Sequence, residues 1–246
     1  LSLQPNMKIR AKPSLARKAG NIARGPSQST RLQVLPAPDA GATRNVMSVA
    51  LDRLYHLHWV TPGLARSAQP YLGFYAAFLR PHGFKSLINL RGENPGLSWW
   101  RTEKRTAGAL GIAHFDVKLS SRNIPSRSGL AKLFDAFERA EPPILIKCSG
   151  GQDRTSLAAA LYLLQRDGPK ALAQAEAQFA FWPYLHRPKP CQRWLKEFPA
   201  YAVAQSGQDP ISAWARERYD PKAFAAFLGA KGLDKSFRAF QAELPG

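Results

Sequence analysis

The sequence predicts an α/β fold, a largely parallel central sheet flanked by helices with additional helices at the C-terminal end. Two observations carry that expectation. Apolar or alternating runs of strand length recur at residues 84–90, 111–119 and 142–148, and helix-like segments separate them, as parallel strands joined by crossover helices require. After the helix that follows the third run, only helical patterns remain.

Residues 1–48 are rich in Pro, Gly, Ser and basic side chains and show no apolar periodicity, so they read as a flexible basic tail. From residue 51 the texture changes. "YLGFYAAFLR" (71–80) is helix-like and leads into the first strand, "FKSLINL". "GLSWWRTEKRTAGALG" (96–111) is the next helical segment, with Trp99 and Trp100 as helix and core residues, and it leads into "GIAHFDVKL". Alternation there puts Ile112, His114, Asp116 and Lys118 on one face, with Asp116 in mid-strand. In "SGLAKLFDAFERA" Leu130, Leu133, Phe134 and Phe137 share a helical face. "PPILIKC" reads as a buried strand. "GPKALAQAEAQFAFW", "PCQRWLKEFPAYAVAQ" and two pieces beyond Asp209 are helical, punctuated by Pro183, Pro188, Pro190, Pro199 and Pro210. The expected organisation is a tail over 1–48, a catalytic-sized domain over 49–190 and a C-terminal helical extension over 191–246.

Lys and Arg number 35 against 17 Asp and Glu, a formal net charge of +18. Such a surface attracts phosphates, nucleic acid, anionic lipid or acidic proteins, and charge alone does not choose among them. The tail reads first as a solubilising extension and, alternatively, as a tether to an anionic surface or partner, whereas no motif supports nucleic acid. The two cysteines, Cys148 and Cys191, are too few for a disulfide framework and fit a reducing compartment, with cytoplasm the simplest location. The sequence holds no apolar stretch of transmembrane length, no metal-ligand spacing and no sign of a cofactor.

One stretch, "ILIKCSGGQDRTSLAAALYLL" (144–164), carries chemistry. Cys148 falls where a buried strand runs out, the position at which parallel sheets bind ligands. Gly150 and Gly151 let the backbone curl, so amides from Ser149, Gly150, Gly151, Gln152, Asp153 and Arg154 can form a nest for an anion. A helix starting near Arg154 adds its positive end. The same field favours the thiolate of Cys148, a nucleophile. Arg154 can hold two oxygens of a phosphoryl group in its planar fork, and Thr155 can donate to the sulfur as it leaves.

With the Cys, five intervening residues, Arg and Thr of "CSGGQDRT", the loop resembles the phosphate-binding loop of the cysteine-dependent protein tyrosine phosphatase superfamily. "GLARSAQP", "SLINLRGENP" and "LGIAHFDVKLS" are similar to bacterial and fungal members of its atypical dual-specificity group, a likeness spanning roughly residues 58–165. The resemblance implies a dual-specificity phosphatase-like fold over 49–190. It also implies metal-independent hydrolysis of phosphomonoesters through a cysteinyl-phosphate, with Cys148, Arg154 and Thr155 in the roles given above. Its substrates would be a phosphorylated protein or, alternatively, a phosphoinositide or inositol phosphate. Three positions depart from the pattern: Lys147 stands where His is usual, Gln152 where lysine is frequent, and Ser156 where glycine is frequent.

Two aspartates compete for the general acid. Asp116 lies at a distance from Cys148 similar to that of the acid in dual-specificity phosphatases, but the loop that should bear it, "SSRNIPSRSG", has no carboxylate. Asp153 is the first choice. Its position before the arginine resembles the loops of myotubularins, Sac-type phosphoinositide phosphatases and some bacterial phosphatases, where that aspartate is the proposed acid. Arg122 and Arg127 flank the loop expected to rim the pocket, and His186, Arg187 and Lys189 form a further cationic group. Arg91 and Glu93 read as a structural pair, and Cys191 as a packed free thiol. Other classes stay open: a catalytically inactive phosphate-binding scaffold, or thiol redox chemistry that would need Cys191.

Overall fold

In a computed structural model, the description covers residues 46–71 and 73–244. The expected tail therefore lies outside the described residues except for 46–48, which open helix α1 (Val46–Leu54). A hairpin of β1 (His58–Thr61) and β2 (Leu64–Ser67) follows, then α2 (Tyr75–Leu79), β3 (Ser86–Asn89), α3 (Ser98–Ala109) and β4 (Ala113–Asp116). α4 (Arg127–Arg139) crosses to β5 (Ile144–Lys147), which runs through the loop into α5 (Asp153–Asp167). The chain ends in α6 (Leu172–Ala177), α7 (Trp194–Ser206), α8 (Ile211–Glu217) and α9 (Pro221–Ala230). Among the described residues no helix is long and apolar enough to cross a membrane.

The sheet has five strands in the order β1-β2-β5-β3-β4, parallel throughout except for the β1–β2 hairpin. This is the α/β architecture the sequence predicts, with β5 central and all four of its residues buried. Register places Arg66 beside Ile146, and Ser67 and Asn89 beside Lys147. Because successive residues face opposite sides of a sheet, two cores form. Ile88, Ile144 and Ile146 pack with Cys148, α4, α5 and the C-terminal helices; Ala65, Leu87 and Leu145 pack with α1, α2 and Ile112.

Local chemistry explains several element ends. Ser126 caps α4 by accepting a hydrogen bond from the Gly129 amide, and Asp220 caps α9 through the Lys222 amide, with Pro221 following. α5 is apolar on most sides because it lies between the sheet and α6, α7 and α8. Trp194, Phe198, Trp214 and Phe224 belong to the same apolar cluster as Ile146 and Leu157, so the C-terminal helices share the core of the sheet's α5 face. Two details differ from expectation. Pro199 is inside α7 and does not punctuate it, and Asp116 is the last residue of β4, not its middle.

Candidate active site

The loop begins with Cys148, 3% exposed, whose amide donates to the Ser67 carbonyl at 3.4 Å. Gly151 has φ +65°, and a Cβ there would stand 2.6 Å from the Ala68 nitrogen and 2.7 Å from the Ser67 carbonyl carbon. Only glycine fits. Gly150 meets nothing within 4 Å, so of the two predicted turn glycines only Gly151 is demanded by the backbone. Gly151→Ala should accordingly cost about 1–3 kcal/mol from backbone conformation before any clash is relieved. Gly150→Ala should leave the thermal unfolding midpoint nearly unchanged, and equal midpoints for the two variants would refute the difference.

From the α5 face the loop is held by Arg66, which is fully buried. One guanidinium nitrogen donates to the carbonyls of Gly151 (3.1 Å) and Gln152 (3.0 Å) and to the hydroxyls of Thr155 (3.2 Å) and Ser156 (2.7 Å). Another donates to the carbonyl and side-chain oxygens of Gln178, both at 3.1 Å. The Tyr184 ring lies 4.2 Å from the guanidinium carbon. Burial brings the Arg66 pKa down to about 10, against the pull of Tyr184, Cys148 and Asp153, which leaves it charged at neutral pH.

A second anchor is Gln69, whose backbone amide donates to the Ser149 carbonyl at 3.1 Å. Its side chain joins a buried network. Lys147 Nζ lies 2.5 Å from Glu103 Oε2 and donates to Gln69 Oε1 at 2.7 Å; Gln69 Nε2 also donates to Glu103, at 2.9 Å. Tyr75 and His114 complete the shell around Glu103. Burial lowers the Lys147 pKa to about 8, although Glu103 opposes it. At Glu103, burial raises the carboxyl, but hydrogen bonds from His114 and Lys147 outweigh it and the net shift is downward. Arg91 donates to Gln69 Oε1 and to the Tyr71 hydroxyl, both at 3.1 Å, and stacks on Trp99 at 3.7 Å. Its observed partners are thus these three residues, where the sequence suggested Glu93.

These anchors orient the loop amides. In a trans peptide the carbonyl and the following N–H point in opposite directions. Drawing the Ser149 and Gly151 carbonyls to Gln69 and Arg66 turns the amides of Gly150 and Gln152 away from those partners, and the Gln152 carbonyl, which accepts from Arg66 and from the Ser156 amide, turns the Asp153 amide away likewise. At the first turn of α5 they add to the positive end of that helix.

Asp153, first residue of α5, accepts a hydrogen bond from Gln192 Nε2 at 2.8 Å; the same amide donates to Ser121 Oγ at 2.9 Å. His186 Nε2 lies 3.4 Å from its other oxygen without the alignment of a hydrogen bond. Burial raises the Asp153 pKa, against Arg154, Gln192, Arg66 and Lys189. His186 is 2% exposed, and burial and then Lys196 push its pKa to about 4. The ring is neutral near pH 7, which corrects its assignment to a cationic group with Arg187 and Lys189.

Arg154 is half-buried, with one long bond (3.4 Å) to the Leu90 carbonyl. The buried Thr155 presents its hydroxyl oxygen to Arg66. Asp116 accepts from Asn89 Nδ2 (2.7 Å) and Trp100 Nε1 (2.9 Å), and its register with Asn89 and Lys147 puts it on the sheet face opposite Cys148. Arg122 is exposed. Arg127 donates to the Tyr219 carbonyl at 2.7 Å, and Ser121 is the residue of that segment linked to the loop, through Gln192. Cys191 and Cys148 are both free thiols.

No protein-family model matches the chain, and a search of curated proteins finds no match. Among solved structures it is similar to P. aeruginosa TpbA, with 16% identity over 72% of this chain and 93% of that one, TM-score 0.43. It is also similar to the core catalytic domain of the PP-IP phosphatase SIW14 from S. cerevisiae, with 19% identity over 72% and 93%, TM-score 0.40. A DUF442 protein from Shewanella putrefaciens CN-32 matches at 18% identity over 63% and 99%, TM-score 0.48.

Proposed function

We propose that this chain is a metal-independent phosphomonoester hydrolase of the cysteine-dependent tyrosine and dual-specificity type. The observation that carries the reading is the pinning of the Ser149 and Gly151 carbonyls by the Gln69 amide and Arg66, which leaves the Gly150 and Gln152 amides directed away from those two anchors in the loop that follows Cys148. Such a cradle suits a tetrahedral dianion.

In the first step the Cys148 thiolate attacks phosphorus. The ester P–O bond breaks, and Asp153 gives its proton to the departing oxygen. Arg154 and the loop amides hold the phosphoryl oxygens throughout. Water then attacks the cysteinyl-phosphate, Asp153 takes its proton, the P–S bond breaks, and thiolate and inorganic phosphate are released. Burial of Asp153 favours its proton-bearing form, which the first step needs. Asp116 fits the role poorly, since it faces the other side of the sheet and its Oδ1 already accepts from Asn89 and Trp100.

The assay is hydrolysis of an aryl phosphate in the presence of a chelator, with vanadate as inhibitor. Asp153→Asn should slow cysteinyl-phosphate formation by about 10²–10⁴-fold, the usual reach of acid catalysis, and Asp116→Asn by no more than a few-fold. Equal or reversed effects would overturn the acid assignment. Phosphate binding without turnover would favour the scaffold reading. TpbA has been solved with pTyr and SIW14 is a PP-IP phosphatase, so phosphotyrosine peptides and inositol phosphates are the substrates to assay after the aryl ester.

A further inference from the structure

Residues 180–186 form a tight turn beside the loop, closed by bonds from the Leu185 amide to the Phe181 carbonyl (2.5 Å) and from the His186 amide to the Ala180 carbonyl (3.4 Å). Its base is built in. Tyr184 is buried under Arg66, its carbonyl lies 3.0 Å from His56 Nε2, and His186 is wedged between the Phe179 carbonyl and Asp153. Its tip is not: Phe181 is 61% exposed, Trp182 75% and Leu185 38%. Arg187 and Lys189, both exposed, follow at once.

Scattered exposed apolar side chains are ordinary, but three large ones on one anchored turn, two of them adjacent aromatics, are not. Residues this exposed protrude, whereas peptide and small-molecule sites are lined by concave surface. Protruding Trp and Phe next to cations match the interface of a membrane, where rings enter the headgroup layer and Lys and Arg meet anionic lipid. The net charge of +18 acts in the same direction. The chain's own N-terminal segment is a poor occupant, because it is basic like Arg187 and Lys189.

We propose that the turn spanning residues 181–189 is a docking surface for an anionic lipid bilayer. Phe181, Trp182 and Leu185 enter the headgroup layer, and Arg187 and Lys189 contact its phosphates. Docking there brings Asp153 and the loop close to the bilayer, since His186 of the turn lies 3.4 Å from Asp153.

The test uses the full chain and its Phe181→Ser/Trp182→Ser double variant, sedimented with phosphatidylcholine vesicles with and without phosphatidylserine. The wild type should bind the phosphatidylserine vesicles about tenfold or more tightly than the double variant. Both should hydrolyse a soluble aryl phosphate equally. Equal vesicle binding by the two proteins overturns the proposal, because the basic charge alone then accounts for attraction. So does a double variant that binds vesicles normally but loses a phosphopeptide, which makes the turn a peptide site. Vesicle binding that needs Phe181 and Trp182 in a chain with no aryl phosphatase activity upholds the docking surface and counts against the catalytic reading.

Discussion

Cys148→Ser removes aryl phosphate hydrolysis by about 10⁴-fold or more while leaving the thermal midpoint within a few degrees of wild type. The first half follows from chemistry. A serine hydroxyl with no adjacent base is a poor nucleophile at neutral pH, and loss of a nucleophile in other covalent enzymes costs rate on this order. The second half follows from how the loop is held: Arg66 and Gln69 fix its shape through the carbonyls of Ser149, Gly151 and Gln152, and none of those bonds passes through the sulfur. The variant should also still bind vanadate or phosphate, read by calorimetry. Retained hydrolysis in Cys148→Ser would end the covalent mechanism.

Arg66→Met should be the most damaging substitution outside the loop. It strips the donor from the buried Gly151 carbonyl and the buried Thr155 hydroxyl oxygen, while Ser156 and the Gln178 carbonyl keep each other, and each orphaned buried group costs about 1–3 kcal/mol. Breaking a buried charged network by removing one member typically costs about 3–5 kcal/mol, which lowers the midpoint on the order of 10 °C for a domain of this size. Hydrolysis should fall with it, because the Gly151 carbonyl is released, while the Gln152 carbonyl keeps the Ser156 amide and hydroxyl. Arg66→Lys should not rescue, since one ammonium cannot span Gln178 on one side and the loop on the other. A lysine variant with wild-type midpoint and rate would show that charge alone, without the planar fork, suffices.

Much of the architecture was legible because it follows periodicity. The apolar run at 144–146 is central and buried, the face of Leu130, Leu133, Phe134 and Phe137 packs as expected, and the loop lies between strand and helix. The β1–β2 hairpin was not read. Its strands are four residues long, and "LARS" is wholly buried although half of it is polar, so no alternation marks it. The turn Pro62–Gly63 between two short runs was the available signal. With the hairpin went Arg66, and with it the main support of the site. Glu103 was equally hidden, one carboxylate in a charged helix whose burial depends on Lys147 from a strand more than forty positions on. His186 looked like one of several surface cations because sequence neighbours do not reveal burial.

The hydrogen bonds from Arg66 to the loop and α5 span sequence separations of 85 to 90 residues, and those to Gln178 span 112. Contacts this distant are slow to form, because the intervening chain must first be brought together. Newly made chain therefore lacks the folded loop around Cys148 until β2 docks beside β5. The loop takes its shape late in maturation, and Cys148 is buried only then, so a thiol-reactive label that distinguishes the docked from the undocked state would time the closing of the loop during refolding.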